Sequence, residues 1–337
     1  MKIISLVTGG AGFIGSHVVN HLIKQGHDVV VLDDLSGGNE GNIPLQATFY
    51  KGSILDQSLI HELFEKYQFS YVYHLAAYAA EGLSHFIRNF NYKNNLIGSV
   101  NLINASVNHH VKCFVFTSSI AVYGPNSLPH IESQYPQPED PYGIAKYAVE
   151  MDLKNAQKMF GMDFIIFRPH NVYGKHQNIG DKYRNVVGIF MNQILEGKPL
   201  TIFGNGEQTR AFTHVDDVAP YIASSVNIPK ARNSIFNIGN ETVYSVKDLA
   251  IAILEALHSN VEIQCIEKRE EAIHSYADHS KFDAIFNPKE KVQLSTGLLE
   301  MAEWVKSHGV QSSSEFEAIE IKHKLPKSWQ KKIKNEQ

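Results

Sequence analysis

The sequence predicts an α/β protein with a doubly wound parallel sheet and a smaller, mixed α/β lobe. Three observations support this fold class. Strand and helix patterns alternate through the first half of the chain. The predicted strands are short, nearly continuous apolar runs, which is typical of parallel strands buried on both faces. Finally, Gly9, Gly12 and Gly15 follow the first apolar run, where the apolar spacing changes from that of a strand to that of a helix.

The first strand, turn and helix are predicted between residues 3 and 26. Residues 3–7 are mainly apolar, and Ile14, Val18 and Leu22 then recur at helical spacing. The three glycines between them allow a tight turn, whose backbone N–H groups can meet a pyrophosphate at the positive end of the helix. Glycines cluster in many turns, so a plain strand–turn–helix is the alternative for this segment taken alone.

The second predicted strand, residues 29–32, ends in an acidic residue, Asp33. It lies about 20 residues past the glycine loop, where a carboxylate accepts hydrogen bonds from the adenosine ribose hydroxyls. The same carboxylate would repel a 2′-phosphate, so the pattern predicts bound NAD rather than NADP. A solvated aspartate that opens a loop is the alternative.

The remaining elements follow from the same periodicities. Strands are predicted over residues 47–50, 71–75, 113–116, 163–167 and 200–203, and helices over residues 58–67, 94–107, 186–195 and 246–258. Ser245 is a plausible N-cap for the last of these helices. Ligands of parallel sheets bind beyond the carboxyl ends of the strands, so the loops that follow the strands are expected to carry the functional residues.

We expect two lobes and a tail. Residues 1–175 are predicted to form a Rossmann domain that binds NAD, and residues 176–312 a lobe that binds the substrate. Residues 212–240 are expected to pack back on the first lobe. Residues 313–337 form a charged tail, in which Lys327, Lys331, Lys332 and Lys334 favour a solvated end over a partner site.

Composition excludes several classes of protein. A net charge of −4 over 337 residues gives no basic face for nucleic acid or an anionic membrane. No run reaches the ~18 apolar residues that a membrane span needs, and the first residues pass straight into a strand without a signal peptide. Cys113 and Cys265 lie far apart, the first in a predicted buried strand, so no disulfide is expected and a cytoplasmic location fits.

The seventeen histidines do not predict a metal site. His17 and His21 are four residues apart on the first helix, and His109 and His110 are adjacent. Neither pair has the Glu or Cys companions of a zinc site in the sequence. We therefore interpret them as surface or capping histidines and expect no metal.

The candidate catalytic residues lie in two loops after predicted strands. Ser119 follows the strand of residues 113–116. Asp140 and Pro141 suit the N-cap and the first position of a helix. Tyr142 and Lys146 are then one helical turn apart and face the same way.

These residue types suit general-base catalysis by a phenol. A free tyrosine has a pKa near ~10 and is a poor base at neutral pH. A lysine ammonium and a positively charged nicotinamide ring would both lower that pKa. Tyr142 could then take a proton from a sugar hydroxyl while the attached carbon gives its hydride to NAD, and Ser119 would orient the same oxygen. A Tyr-x-x-x-Lys pair alone is common on helix surfaces, so the prediction depends on its combination with the glycine loop and Asp33.

This set of residues resembles the extended short-chain dehydrogenase/reductase family, and within it the nucleotide-sugar 4-epimerases. The resemblance runs from about residue 3 to about residue 281 and is carried by TGGAGFIG, LDDLS, HLAA, TSSIAVYG, YGIAK, RPHNVYG and RAFTHVDDVA. It implies epimerisation of a UDP-sugar at C4 through a transient 4-keto sugar, with NAD regenerated in each cycle and Tyr142 as general base.

The resemblance also implies contacts for individual residues. On the cofactor side, with Tyr142 and Lys146, it implies Gly9, Gly12, Phe13, Ile14, Gly15, Asp33, Asp34, Ser36, Ser53, Ile54, Leu75, Ala76, Ala77, Asn94, Thr117 and Pro169. On the substrate side, with Ser119 and Tyr142, it implies Asn171, Asn185, Arg210 and Arg269, the two arginines as cations that neutralise the diphosphate.

The chain departs from the galactose-type pattern in two places on the cofactor side. Ser53 stands where an aspartate usually contacts adenine, and Ala79 where those enzymes often carry a lysine. Neither departure affects the Ser, Tyr and Lys triad.

Another departure separates reactions within the family. The resemblance implies an Asp-Glu pair after the hydroxyl residue in dehydratases and a glutamate in decarboxylases, whereas this chain has Ile120 and Ala121. Epimerisation is therefore favoured over a 4,6-dehydratase or a decarboxylase, and a net reductase stays a rival of the same class. A non-catalytic dinucleotide sensor is the rival from another class.

The sugar and the oligomeric state are left open by the sequence. A small residue at Ser275, where relatives set the size of the pocket, would admit an N-acetyl or uronate group as well as glucose or galactose. By the same resemblance we expect a homodimer, formed through the helices predicted at residues 94–107 and 142–159.

Overall fold

The computed structural model describes residues 2–268, 272–312 and 316–330. Its strands are β1 Ile4–Thr8, β2 Asp28–Asp33, β3 Thr48–Lys51, β4 Tyr71–His74, β5 Cys113–Thr117, β6 Asp163–Pro169, β7 Val172–Tyr173, β8 Leu200–Phe203, β9 Thr209–Ala211, β10 Thr213–His214, β11 Ser234–Ile238, β12 Val243–Ser245, β13 Ile263–Ile266 and β14 His274–Ser275. Its α-helices are α1 Phe13–Lys24, α2 Gln57–Tyr67, α3 Glu81–Ser84, α4 Arg88–Tyr92, α5 Gly98–Asn108, α6 Pro141–Phe160, α7 Val186–Leu195, α8 Ala219–Ser224, α9 Val246–Leu257, α10 Ser280–Phe286 and α11 Leu294–His308.

The predicted parallel sheet is confirmed. Seven strands pair in the order β11-β6-β5-β4-β1-β2-β3, and every pair is parallel. Alternate residues of each strand enter different cores: one face buries Val7, Val31, Tyr73, Val115 and Phe167, and the other buries Leu6, Val30, Val72, Phe114 and Ile166. Both faces are covered, which is why the strands read as continuous apolar runs rather than alternating ones.

The second half of the chain contributes to both parts of the molecule. β11 forms one edge of the main sheet beside β6, and α8 packs on α1. A separate apolar core lies between α7, α9 and α11, next to the parallel pair of β8 and β13. The placement of a domain boundary at residue 175 stays a prediction.

The helix predicted at residues 94–107 differs in the structure. It begins earlier, with α4, and a π-helical turn at Lys93–Ile97 joins α4 to α5. Within that turn the Asn95 side chain accepts from the backbone N–H of Tyr78 at 2.9 Å and donates to the Tyr78 carbonyl at 3.1 Å. Leu96 and Ile97 carry the apolar pattern of α5 into this turn, so periodicity predicts a helix there but does not distinguish a π turn from an α-helical one.

The expectation of a solvated tail is wrong for residues 316–330. Phe316, Leu325 and Trp329 join an apolar cluster with Leu83, Ile87 and Tyr183, and Trp329 is only 6% exposed. The Glu320 carboxylate accepts from the backbone N–H groups of Asn89 and Phe90 at 2.7 and 2.8 Å, at the start of α4. The sequence did not predict this packing, because the three apolar residues are widely spaced in a segment whose composition is rich in lysine. Lys327 itself is exposed, and Lys331, Lys332 and Lys334 lie outside the described residues.

Candidate functional site

A deep cleft opens at the carboxyl edge of the main sheet, between the sheet and the segments around α7 and β9. Its cavity volume is about 840 Å³, which is ample for a nucleotide cofactor together with part of a second ligand. The glycine loop, the ends of β2, β4, β5 and β6, and the start of α6 all line it. This is the edge at which ligands of parallel sheets bind.

The glycine loop is built for close backbone approach. Gly9 has a φ of 73°, and a Cβ there would lie 2.6 Å from the backbone nitrogen of Ala76. A Cβ on Gly15 would lie 2.0 Å from the Gly9 carbonyl oxygen. Gly12 is the N-cap of α1 and offers no side chain to cap the helix. The first N–H groups of α1 thus have no side-chain cap in a segment that lines the cleft, where an anionic diphosphate can accept from them.

Asp33, the last residue of β2, lines the cleft beside the glycine loop. Its carboxylate accepts from the backbone N–H of Ala11 at 3.0 Å and from that of Leu35 at 2.8 Å. Burial raises the pKa of this carboxyl above its ordinary value, while hydrogen bonds from the backbone N–H groups of Leu35, Ala11 and Gly12 act against the increase. The side chain is thus fixed beside the glycine loop, which is a suitable place to accept ribose hydroxyls.

The structure brings the three predicted catalytic residues together. Asp140 caps α6 by accepting from the Gly143 N–H at 2.9 Å, and Pro141 occupies the first turn, as predicted. Tyr142 lies beside the Ser119 side chain, which acts to lower the pKa of the phenol. The Lys146 ammonium donates to the Thr117 carbonyl at 2.7 Å and lies 5.8 Å from the Tyr142 ring centroid.

Burial sets the electrostatics of this triad. It raises the pKa of the Tyr142 phenol well above its ordinary value, and Glu81 adds to the increase while the Ser119 hydrogen bond opposes it. Burial also lowers the pKa of the Lys146 ammonium to about 7, against the attraction of Glu150. Both shifts disfavour the charged forms, so the protein alone does not make Tyr142 a base. Additional positive charge beside the phenol would be needed.

A buried ion pair lies behind the triad and was not found in the sequence. Glu150 and Arg168 are 0% and 1% exposed and share two hydrogen bonds, with the Arg168 Nε 2.9 Å from Oε1. Ser118 donates to the same Oε1. The network ties α6 to β6 and to the loop of Ser119. Glu150 is two helical turns after Tyr142, a spacing that by itself gives no signal of an ion pair.

The predicted cofactor residues are placed as follows. With Tyr142 and Lys146, the cleft is lined by Gly9, Gly12, Phe13, Ile14, Gly15, Asp33, Asp34, Ser36, Ile54, Leu75, Ala76, Ala77, Asn94, Thr117 and Pro169. Ser53 is the exception: its neighbours Gly52 and Ile54 line the cleft, whereas its hydroxyl accepts from the Leu55 N–H within a turn. Asn94 donates to the Phe90 carbonyl at 3.0 Å. The individual contacts remain predictions.

The predicted substrate residues are also brought to the cleft where the structure describes them. Asn171, Asn185 and Arg210 line it. Asn171 donates to the Ala211 carbonyl at 3.2 Å, and Asn185 caps α7 through the Val187 N–H. The Arg210 guanidinium donates to the carbonyls of Thr209, Ala272 and Ile273. Arg269 lies outside the described residues.

The fold places acidic residues beside some of the histidines, and the expectation of no metal stays a prediction. Folding brings His61 and Glu65 of α2 to His109, and a second group joins His214, Asp216 and Glu300. The residues next to His109 in the sequence did not reveal these neighbours, because His61 and Glu65 come from another helix. In the second group the Glu300 carboxylate is already paired with the Lys175 ammonium at 2.7 Å.

Sequence reasoning also missed several polar residues of the cleft, among them Glu81, Arg184 and Tyr78. Each lies outside the motifs that carry the resemblance. The Arg184 guanidinium stacks 4.7 Å from the Tyr78 ring centroid and pairs with Asp181 at 2.7 Å. An arginine three residues after an aspartate gives a weak signal of such a pair, but its place in the cleft depends on the tertiary fold.

Comparisons with known proteins agree with this geometry. The model of the NAD dependent epimerase/dehydratase family matches residues 5–239. The UDP-glucose 4-epimerase of Thermotoga maritima, solved with UDP-glucose, is 36% identical, with a TM-score of 0.86 over 91% of this chain and 99% of that one.

Two further solved structures are of 4-epimerases named for other UDP-sugars. The UDP-N-acetylglucosamine 4-epimerase of Methanobrevibacter ruminantium, in complex with UDP-N-acetylmuramic acid, is 31% identical, with a TM-score of 0.84 over 91% of this chain and all of that one. The UDP-glucuronic acid 4-epimerase of Bacillus cereus, in complex with UDP-glucuronic acid and NAD, is 29% identical, with a TM-score of 0.83 over the same shares.

Proposed function

Because this chain belongs to the NAD dependent epimerase/dehydratase family, we propose that it is a UDP-sugar 4-epimerase with Tyr142 as its general base. The observation that carries this proposal is the position of Tyr142 next to Ser119 and Lys146, in the same cleft as the glycine loop. NAD fits beside the glycine loop, since the N–H groups of α1, which no side chain caps, suit its diphosphate and the fixed Asp33 carboxylate suits its ribose.

The reaction follows from the positions of the side chains. Ser119 and Tyr142 both hydrogen-bond the C4 hydroxyl, and Tyr142 takes its proton as C4 becomes a ketone. When bound, NAD accepts the C4 hydride reversibly and adds a positive charge that favours the Tyr142 phenolate. The 4-keto sugar then turns about its phosphate linkage and receives hydride on the opposite face. Tyr142 returns the proton to the inverted hydroxyl.

Lys146 is itself held beside the proposed base. Its hydrogen bond to the Thr117 carbonyl fixes the ammonium one helical turn from Tyr142. With a pKa near 7, this ammonium is charged at neutral pH only in part, so binding of an anion or a ribose hydroxyl beside it would favour the charged form. Ile120 and Ala121 line the cleft next to Ser119, and neither offers an acid for elimination of water.

The identity of the sugar stays open. Ser275 and Ala272 line the cleft beside Arg210, so small side chains form that part of its wall. This supports a pocket that admits a bulkier substituent than a hydroxyl. UDP-glucose, UDP-N-acetylglucosamine and UDP-glucuronate are therefore the three substrates to compare.

We further propose a cytoplasmic homodimer. Exposed apolar residues on α6, namely Ile144, Met151, Met159 and Phe160, and Ile97 on the adjoining helix support an isologous contact. Both cysteines are free thiols, which suits a reducing compartment. Among the helices of the described residues, none combines the length and the apolar character that a bilayer crossing requires. Light scattering coupled to size-exclusion chromatography tests the dimer.

The function is tested by product analysis. The purified protein is incubated with each of the three UDP-sugars, and the products are identified by NMR and mass spectrometry. We expect the C4 epimer of at least one substrate, at unchanged mass. Loss of water or CO₂, or no turnover of any nucleotide sugar, would contradict the proposal.

A matched pair of variants tests the base. Tyr142→Phe is expected to lower kcat by about 10²- to 10⁴-fold, because proton transfer is lost, while NAD stays bound. Tyr147→Phe, on the same helix but outside the cleft lining, should keep wild-type kcat. Equal activity of Tyr142→Phe and wild type would remove Tyr142 from the mechanism.

A further inference from the structure

Arg184 occupies an unusual position between the two sides of the cleft. It directly precedes Asn185, the N-cap of α7, and so belongs to the side opposite the glycine loop. Its Nε donates to Asp181 Oδ2 at 2.7 Å, and its guanidinium stacks 4.7 Å from the centroid of the Tyr78 ring. Asp181 is itself fixed, since its other oxygen accepts from the Tyr183 N–H at 2.9 Å. The direction of the guanidinium is therefore set by the protein.

The opposite edge of the guanidinium faces Gly37. A Cβ on Gly37 would lie 3.1 Å from Arg184 Nη2 and 3.7 Å from Nη1. The next residue, Gly38, rests on the glycine loop: a Cβ there would lie 2.7 Å from the Ala11 carbonyl carbon and 2.9 Å from the Gly12 nitrogen. Two residues without side chains thus let Arg184 approach the loop that opens α1.

We propose that Arg184 binds the diphosphate of the dinucleotide from across the cleft and so retains the cofactor. This inference rests on the proposed binding of NAD at the glycine loop. With Nε held by Asp181, the Nη1 and Nη2 donors form the edge that meets phosphate oxygens bidentately. The backbone N–H groups and the helix dipole provide only partial charges, whereas the guanidinium provides a full one against a dianion.

Retention of the cofactor by Arg184 has a purpose in the reaction. The epimerase cycle returns NAD to its starting oxidation state, so release between turnovers brings no benefit. A cation on the substrate side of the cleft would hold the cofactor from both sides. Gly37 and Gly38 carry no side-chain donors that could do this from their own loop.

The test measures NAD directly rather than turnover. Wild type, Arg184→Ala, Arg184→Lys and Lys198→Ala are passed over a desalting column, denatured, and assayed for NAD per chain. The NAD-free proteins are then titrated with NAD to obtain Kd. We expect Kd to rise about 10- to 100-fold in Arg184→Ala, because a charge-assisted pair is lost. Arg184→Lys keeps the positive charge but loses the bidentate geometry of the guanidinium, so its Kd for NAD should lie between those of wild type and Arg184→Ala.

Lys198→Ala is the matched control, since it removes one positive charge at an exposed site paired with Glu196. Its Kd for NAD should equal that of wild type. Gly37→Ala is a second variant that keeps Arg184: its Cβ would lie 3.1 Å from Nη2 and shift the end of that side chain by a few tenths of an ångström, so it should weaken NAD binding less than Arg184→Ala does. Melting curves of all variants identify any that fail to fold, and Gly37→Ala and Arg184→Lys then decide the result.

Two results would overturn the inference. One is a Kd for NAD within twofold of wild type in folded Arg184→Ala. The other is an unchanged Kd for NAD with a raised KM for the UDP-sugar, which would assign Arg184 to the substrate. The NAD content per chain and the Kd for NAD do not depend on catalysis. If the protein binds NAD but does not epimerise a UDP-sugar, these two measurements still test the role of Arg184.

Discussion

Two charged side chains behind the cleft form a buried ion pair. Glu150 and Arg168 are both fully buried, and each neutralises the charge of the other. The guanidinium also stacks 4.6 Å from the Tyr123 ring centroid, and Tyr123 donates to Asn237 at 2.7 Å. Removal of one partner from such a pair leaves an uncompensated buried charge.

The first prediction concerns this pair. Glu150→Ala should lower the free energy of unfolding by about 3–5 kcal/mol, because Arg168 would remain charged and buried. Urea denaturation followed by circular dichroism measures the change. Lys2→Ala, which breaks an exposed pair with Asp28, is the control and should cost no more than about 1 kcal/mol. Equal effects in the two variants would mean that water reaches Arg168.

At the scale of elements, the start of α6 combines a structural and a catalytic task. Asp140 caps the helix, and two residues later Tyr142 enters the cleft. Ser84 also donates to the Asp140 carboxylate at 3.3 Å. Ser245 provides a matched cap at α9, where it forms a capping box with Asp248, away from the catalytic residues.

The second prediction compares these two caps. Asp140→Ala and Ser245→Ala should each lower the free energy of unfolding by about 0.5–2 kcal/mol. Asp140→Ala should in addition lower kcat roughly 10- to 100-fold, since a small displacement of the general base is costly. Ser245→Ala should leave kcat unchanged. A wild-type kcat for Asp140→Ala would show that the cap does not position Tyr142.

Several elements were predicted closely, and the reason is local. The bounds of α7 and β8 agree with those predicted, and Ser245 caps α9 as expected. In each case the apolar spacing and the flanking residues point to the same element. The π turn at Lys93–Ile97 was not predicted. Its side-chain hydrogen bonds join Asn95 to Tyr78, a residue in another loop, and no local pattern indicates them.

At the scale of the whole molecule, buried neutral histidines link distant elements. His74 of β4 bonds Thr8 of β1 at 2.7 Å and Ser99 of α5 at 2.8 Å. The Nε2 atoms of His170 and His279 lie 3.0 Å apart. Burial lowers the pKa of His74 to about 3, that of His170 to about 4 and that of His279 to about 2.

The third prediction is acid lability. These folded-state pKa values lie below the ordinary value near 6.5, so the unfolded chain binds more protons between pH 6.5 and about 4. Stability should be complete above pH 6.5 and fall below it, by about 1.4 kcal/mol per pH unit for each histidine. Urea midpoints at pH 7, 6 and 5 measure this slope. His74→Asn should flatten it, whereas exposed His258→Asn should not; a pH-independent midpoint would contradict the prediction.

The fourth prediction concerns the segment of residues 316–330. A chain ended after Ser312 should melt at a lower temperature and exchange amide hydrogens faster over residues 78–92, because the apolar cluster around Trp329 and Tyr183 is opened. Glu320→Ala removes the two bonds to the start of α4 and should cost about 1 kcal/mol. Lys327→Ala, at an exposed site, is the control. If the shortened chain melts at the wild-type temperature, residues 316–330 do not stabilise the fold and the prediction is contradicted.

The sequence by itself determined the parallel sheet, the glycine loop, Asp33 and the pairing of Tyr142 with Lys146. These features depend on residues close together in the chain, where backbone geometry and side-chain spacing leave few alternatives. Only the tertiary structure decided that Arg184 faces Gly37, that Glu65 meets His109, and that residues 316–330 cover the aromatic cluster. Such contacts join segments from tens to hundreds of residues apart, and their partners are fixed by packing of the whole chain rather than by any local pattern.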